Sequence, residues 1–295
     1  MNLQYVLLTF ENNGHTLLMG CGADIKIKEL NGIESAEYIN HTSSNACEDG
    51  EKVTGKKVGK RTIDILFGVD ATPDDTVLIR RRLVKFFNPK YPTTLTINYC
   101  YSQGRIQCEI ESFNFEEQAT LWDTLIGSLT LICPDPYWQA LDDFGKNIAS
   151  TNAQFAWPLA FAKTIGEHNE IGKIFSYKEF SKQVVLSNDG DVETGIVIQF
   201  LAKKGEVKNP KIIKVSTGEF IEVFCDMKKD DVVEINTNKN KKSVTHNGNR
   251  ISKDINKLST YFQLDVGDNI ISYEAQENDT NLEVRLYYTP KSLGI

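Results

Sequence analysis

The chain has 295 residues, with 33 basic and 40 acidic side chains for a formal net charge of −7, 40% hydrophobic and 25% charged residues. That is ordinary globular composition, and at ~150 residues per domain the length predicts two domains. Three roles are not expected. No apolar run approaches the ~18 residues of a membrane helix, Met1-Asn2-Leu3-Gln4-Tyr5-Val6 lacks the basic-then-apolar start of a secretory leader, and neither half has the basic surplus that phosphate binding requires. Residues 1–150 carry 14 basic against 20 acidic groups (net −6), and the remainder 19 against 20 (net −1).

The first local signal is Gly20-Cys21-Gly22, which opens like a dinucleotide loop but has Ile25 where a third glycine would stand and no surrounding βαβ pattern. A long polar stretch from about Asn31 to Lys60 follows. Within it Gly50-Glu51-Lys52-Val53-Thr54-Gly55-Lys56-Lys57 has phosphate-loop spacing, with Lys57 in place of the Ser or Thr that would hold magnesium. The flanking Arg61-Thr62-Ile63-Asp64-Ile65 alternates like a strand, so no helix amino terminus faces the loop. A polar hairpin or loop is the expectation.

One helix is strongly marked. Thr72 caps it, Pro73 suits its first position and Asp75 occupies the capping-box site. Ile79, Leu83, Phe86 and Phe87 share a face, Arg80, Arg81, Arg82 and Lys85 lie away from it, and Asn88-Pro89 stops it. The apolar face is expected to pack on the sheet of the first domain. Leu95, Ile97, Tyr99 and Tyr101 then alternate as a strand, as do Ile106, Cys108 and Ile110. A turn at Ser102-Gln103-Gly104-Arg105 would make them a hairpin, with Cys100 and Cys108 facing each other within thinkable disulfide reach. Cys133-Pro134-Asp135-Pro136-Tyr137-Trp138 is a rigid stop, since proline cannot continue a central strand, and it closes a first domain of residues 1–138.

The second domain, 139–295, begins with a less regular segment from Leu141 to Ser181 containing Trp157-Pro158, Gly166 and Gly172. Alternating runs follow at Ile196, Ile198 and Phe200; at Ile221, Val223 and Cys225; at Ile271, Tyr273 and Ala275; and at Leu282, Val284, Leu286 and Tyr288. Asp189-Gly190, Thr217-Gly218, Asn247-Gly248 and Gly267-Asp268-Asn269 supply turns between them. Short strands with a turn every ~8–12 residues predict an all-β sandwich or barrel.

Groups that could carry chemistry do not converge. Cys21, Cys47, Cys100, Cys108, Cys133 and Cys225 form no Cys-x-x-Cys pair and read as small core residues. His15, His41, His168 and His246 are scattered. Glu109, Glu111, Glu116 and Glu117 are carboxylates of the kind any acidic β protein offers. Asn40-His41-Thr42 and Asn278-Asp279-Thr280 fit the glycosylation pattern without a leader to give it meaning. Arg80-Arg81-Arg82 and Lys239-Asn240-Lys241-Lys242 read as solvated faces, and Trp122, Trp138 and Trp157 as core or interface more than as sugar platforms. Catalytic, cofactor-binding and metal-ligating residues are each expected to be none.

The order of these features is more specific than any one of them. The strand at Arg61-Thr62-Ile63-Asp64-Ile65, the capped helix to Phe87-Asn88-Pro89, the hairpin around Gly104-Arg105-Ile106 and the stop at Cys133-Pro134-Asp135-Pro136-Tyr137-Trp138 together resemble the amino-terminal domain of phage distal tail proteins (Dit). Asn188-Asp189-Gly190-Asp191, Gly195-Ile196-Val197-Ile198, Asn209-Pro210-Lys211-Ile212, Thr217-Gly218-Glu219-Phe220-Ile221 and Leu264-Asp265-Val266-Gly267-Asp268-Asn269-Ile270 resemble the carboxy-terminal galectin-like sandwich of the same family. The resemblance covers essentially the whole chain and lacks the carbohydrate-binding insertions of some members. It implies a mainly β protein with an amino-terminal barrel or sandwich carrying one packed helix, followed by a galectin-like β-sandwich. It also implies a non-enzymatic virion protein at the distal end of the tail, assembled in the bacterial host cytoplasm. There a homo-oligomer, a hexameric ring, would join the tail-tube protein to the tail-tip hub protein, and its outer domains would dock receptor-binding proteins. Alternatives from other classes are a lectin-like adhesion protein using Tyr261, Tyr273, Tyr287 and Tyr288, a tail-associated hydrolase, and a baseplate component of a contractile tail or tail-like bacteriocin.

Overall fold

The structure, a computed structural model, describes residues 2–44, 49–70, 72–117, 124–141, 144–147, 150–153, 176–179 and 183–295. The expectations for Cys47, Trp122, Trp157, Gly166, His168 and Gly172 lie outside them. The chain divides into two compact units, Met1–Asp142 with Lys291–Ile295, and Asp143–Pro290.

In the first unit the strands are β1 (Val6–Asn12), β2 (His15–Gly20), β3 (Ile25–Asn31), β4 (Tyr38–Ser43), β5 (Lys52–Val58) and β6 (Arg61–Val69), then helix α1 (Pro73–Phe86), β7 (Thr93–Tyr99), β8 (Ser102–Phe115), β9 (Leu125–Cys133) and β10 (Trp138–Gln139). The sheet order β8-β7-β1-β2-β3-β6-β9 closes through a β8–β9 pairing into a barrel, and β10 with the C-terminal strand Lys291–Ser292 extends it beyond β8. Period-2 alternation sends Val6, Leu8 and Phe10, then Ile63, Ile65 and Phe67, then Leu129, Leu131 and Cys133 into one core. Each such fully buried aliphatic or aromatic side chain stabilises the unit by ~1.5–3 kcal/mol.

Helix α1 starts where the sequence predicts. Thr72 Oγ1 accepts from the backbone N–H of Asp75 at 3.4 Å and donates to Asp75 Oδ2 at 2.6 Å, so the carboxylate grips the capping hydroxyl. At the other end the Phe87 N–H closes onto Leu83 O. Phe87 lies edge-on to Phe10 at 5.5 Å and against Phe113 at 4.9 Å, while Arg80 covers Phe115 at 4.8 Å. Phe113 and Phe115 reach this cluster because of a bulge. The β8–β9 register jumps between Ile110 and Ser112, and the extra residue Glu111 switches the inward phase from Ile106 and Cys108 to odd-numbered positions.

Two expectations are corrected here. The β7–β8 turn is Cys100-Tyr101, with Tyr99 paired to Ser102, because Cys100 adopts a left-handed conformation (φ 55) that closes the hairpin earlier than Ser102–Arg105. Cys100 is therefore exposed at a turn while Cys108 is buried down the strand, and neither is disulfide-bonded. Cys21 is likewise exposed, so it is not a core residue.

The second unit contains β11 (Phe144–Asn147), β12 (Ser150–Ala153), β13 (Ser176–Glu179), β14 (Gln183–Asn188), β15 (Ile196–Ala202), β16 (Val207–Lys214), β17 (Phe220–Glu222), β18 (Asp226–Met227), β19 (Val232–Asn236), β20 (Ser243–His246), β21 (Asn249–Arg250), β22 (Gly267–Glu277) and β23 (Leu282–Tyr288). One sheet runs β11-β23-β15-β19-β20-β21 and a second β14-β22-β16-β17, with β18 beside β16. Their inner faces share one core, Ile198, Phe200, Val233, Ile235, Val284 and Leu286 from the first, and Leu186, Ile212, Ile221, Ile271 and Tyr273 from the second. This is a β-sandwich. Its corners are pinned by buried polar groups. Asn269 donates to Asp265 O at 2.8 Å and to Gly267 O at 2.9 Å, and buried Lys214 donates to Gln263 O at 2.9 Å and Asp265 Oδ2 at 2.7 Å.

Candidate assembly surfaces

The barrel is stitched by long ladders except at one seam. β1 pairs β2 from Leu7 to Asn12, and β6 pairs β9 from Arg61 to Val69, but β2 meets β3 only at Met19 and Ile25. Beyond that bridge the described residues supply no strand to this flank of β3. Its other flank stays on β6, where the register shifts between Ile27 and Glu29 and resumes at Glu29, Leu30 and Asn31. A cleft of about 440 Å³ follows the open edge, lined by Leu3, Glu29, Leu30, Asn31, Ile33 and Glu34 among others.

The far end of the cleft is held by Arg61, a guanidinium only 1% exposed. Its Nε donates to Pro136 O at 2.7 Å, Nη1 donates to Gly32 O at 2.7 Å and Ile33 O at 2.9 Å, and Nη2 donates to Leu293 O. Trp138 packs beside it at 5.7 Å and sends its indole N–H to Ile33 O at 3.1 Å. Burial pushes the Arg61 pKa down from its ordinary value, yet an arginine starts so high that it stays charged. Four carbonyl dipoles replace a counter-ion. Gly32 (φ +86) and Gly294 are needed for this closure, since a Cβ would collide with Thr62 O and Glu34 O respectively.

Between the end of β3 and Arg61 the chain leaves the barrel as the β4–β5 hairpin. Only Ile39, Gly55 and Val58 of these strands are half-buried, and the rest are exposed. The hairpin carries Lys52, Lys56 and Lys57, and neither strand contains an acid. An isolated two-stranded hairpin is marginally stable, so one that projects with Tyr38 and Val53 uncovered gains from a partner. Helix α1 offers another outward surface: Val77, Leu78 and Val84 are 60%, 66% and 55% exposed, beside exposed Arg81 and Lys85.

Residues of chemical interest end up dispersed. Gly50–Lys57 lies in and before β5, a strand, so it makes no phosphate cradle. Gly20 and Gly22 shape the turn after β2 with φ of 106 and 74. Glu109 faces outward on β8, Glu111 is the bulged residue there, and Glu116 hydrogen-bonds Ile126 O through its backbone. His246 meets Asp231 at 3.2 Å. Among the described residues no group of three or more His, Cys, Asp or Glu could hold a metal ion. Tyr273 and Tyr288 are core residues, 1% and 5% exposed, which removes two of the four tyrosines considered as a sugar platform.

The architecture has counterparts. Residues 14–133, within the barrel unit, match the phage tail protein RIFT-related domain, and residues 189–291, covering the sandwich from β15 onward, match the siphovirus-type tail component, C-terminal domain. The chain is a siphovirus-type phage tail component of the distal tail protein family. The crystal structure of the SPP1 Dit protein (gp 19.1), described as a paradigm of the hub adsorption apparatus of phages infecting Gram-positive bacteria, aligns at a TM-score of 0.68 and 13% identity over 96% of this chain and 98% of that one. Chains of the phage P2 baseplate in its activated conformation, with Ca or Sr, align at TM-scores of 0.55 and 0.54 and 9% identity, over 98% of this chain and 99% of theirs. No curated protein matches in sequence. At such identities the shared property is the fold. The family models make this chain a component of the phage tail.

Arg61 as an organiser goes beyond the sequence-based expectations, although it shares the inward parity of Ile63, Ile65 and Phe67. The open flank of β3 has no local signal in the sequence, because it depends on where β2 ends.

Proposed function

We propose that this tail component is a distal tail hub: a ring of six copies joining the tail-tube protein to the tail-tip hub protein, with the sandwich units docking receptor-binding proteins. The carrying observation is the tandem of barrel and sandwich, each matching the corresponding tail-component domain, in a chain whose fold parallels SPP1 Dit over nearly its full length. The function is binding energy arranged in space, with interfaces of the obligate class burying roughly 2,000 Å² or more. The projecting β4–β5 hairpin and the outward side of α1 support such contacts. Barrels form the ring, and an acidic chain suits a channel wall along which DNA slides without sticking. Assembly takes place in the host cytoplasm before the tail is complete.

The test is native mass measurement of the purified protein, alone and with tube and tip subunits. A species of six chains of 33.3 kDa that captures those subunits is expected. A protein that remains monomeric at every concentration and binds neither subunit overturns the reading.

A further inference from the structure

We propose that the open edge of β3 and its cleft form the socket for the β4–β5 hairpin of a second copy of this chain. This rests on the hub reading above and names the acceptor surface that the reading leaves unassigned.

β3 from Glu29 to Asn31 is paired to β6 on one side, while the described residues give its other side no strand. Backbone N–H and C=O groups along such an edge are a template for a strand from another chain. Lys26 and the register shift at Ile27–Glu29 blunt the first half of the edge, and the cleft begins at Lys28, so the template is the half from Lys28 to Asn31. The hairpin has the complementary deficit: β4 and β5 pair only with each other among the described strands, so each has a free flank.

Charge selects β5 as the insert. It carries Lys52, Lys56 and Lys57, all exposed, with Glu51 just before the strand, whereas the cleft presents exposed Glu29 and Glu34 against the one cation Lys28. Lys52 and Lys57 are five positions apart in sequence, as are Glu29 and Glu34. Val53 can then lie toward Leu3 and Leu30, the apolar part of the lining. The socket is also preorganised. Arg61 holds the carbonyls of Gly32 and Ile33, so the floor of the cleft costs little further ordering when a strand arrives.

Connectivity makes the contact intermolecular. The hairpin leaves the barrel at Tyr38, three residues beyond the cleft residue Ser35, and runs outward with its strands exposed. Donor and acceptor are different surfaces of one chain, so the contact is heterologous and propagates from copy to copy until rotation closes it.

A charge-swap experiment tests the assignment. Glu29→Lys with Glu34→Lys alters the socket, Lys52→Glu with Lys56→Glu and Lys57→Glu alters the insert, and a third protein carries all five changes. These side chains are exposed, and circular dichroism melts serve as the folding control. In native mass titrations each one-sided variant is expected to need at least about tenfold more protein to assemble than the wild type, and the fivefold variant to recover most of that loss. One-sided variants that assemble like the wild type, or a folded fivefold variant that recovers nothing, overturn the socket while leaving the hub reading intact. A wild type that never assembles overturns both.

Discussion

Arg61 is the residue on which the first unit turns. It ties the start of β6, the bend at Gly32–Ile33, the stop at Pro136 and the returning chain at Leu293 through one side chain. Arg61→Ala strands several buried carbonyls at once, each costing ~1–3 kcal/mol when left unpaired. Urea denaturation should register a loss of roughly 3 kcal/mol or more. Arg61→Lys keeps the charge but cannot span four acceptors, so it should lie between the two. The cysteines give a second expectation at this scale. Cys108 is pushed far up by its contact with the Cys133 thiol and by burial, and Cys225 is pushed up to about 11 chiefly by burial. Thiolate is the reactive form, so a raised pKa slows alkylation at neutral pH, and reaction accelerates only as pH climbs toward that value. With a soluble maleimide, exposed Cys21 and Cys100 should label rapidly in the folded protein, Cys225 slowly, and Cys108 only after denaturation. Rapid labelling of Cys108 in the native state would contradict its placement in the core.

At the scale of elements, the β4–β5 hairpin is separable from the barrel. Its strands add almost nothing to the core, and its ends return to neighbouring points, the Gly59 N–H donating to Glu37 O at 2.7 Å. Removing residues 40–57 should therefore leave a folded protein whose melting temperature is little changed but which no longer assembles. Light scattering showing normal oligomers from that variant would remove the hairpin from the interface. Helix α1 differs in kind. Its inner side supplies Leu83 and Phe87 to the core, while Val77, Leu78 and Val84 remain outside. It holds the barrel together and leaves an apolar stripe available to a neighbour.

At the scale of the whole molecule, the chain is two β units, each with its own apolar core. The last five residues belong to the barrel unit, so the chain enters the sandwich from the barrel and comes back to it. Trp138 pairs with Ser292, and Lys291 bridges Asp135 at 2.7 Å. A barrel fragment ending at residue 138 thus lacks the Leu293 carbonyl that Arg61 uses. It should be less stable than one to which residues 291–295 are restored, as measured by the midpoint of thermal unfolding.

The sequence by itself determined what depends on neighbours in the chain. Period-2 alternation placed the cores of both units, and Thr72, Pro73, Leu83 and Phe87 specified α1 and its inward face. The polar run with its lysines marked the segment from Asn31 to Lys60 as an excursion from the core. Tertiary structure alone decided what depends on residues distant in sequence. It put Arg61 among four carbonyls, buried Tyr273 and Tyr288, and moved the β7–β8 turn to Cys100-Tyr101. It also left one flank of β3 open beside Glu29 and Glu34. The physical reason is that a side chain's phase along a strand is a local property. Whether the strand's edge is covered, and by which segment, is set by where other strands end.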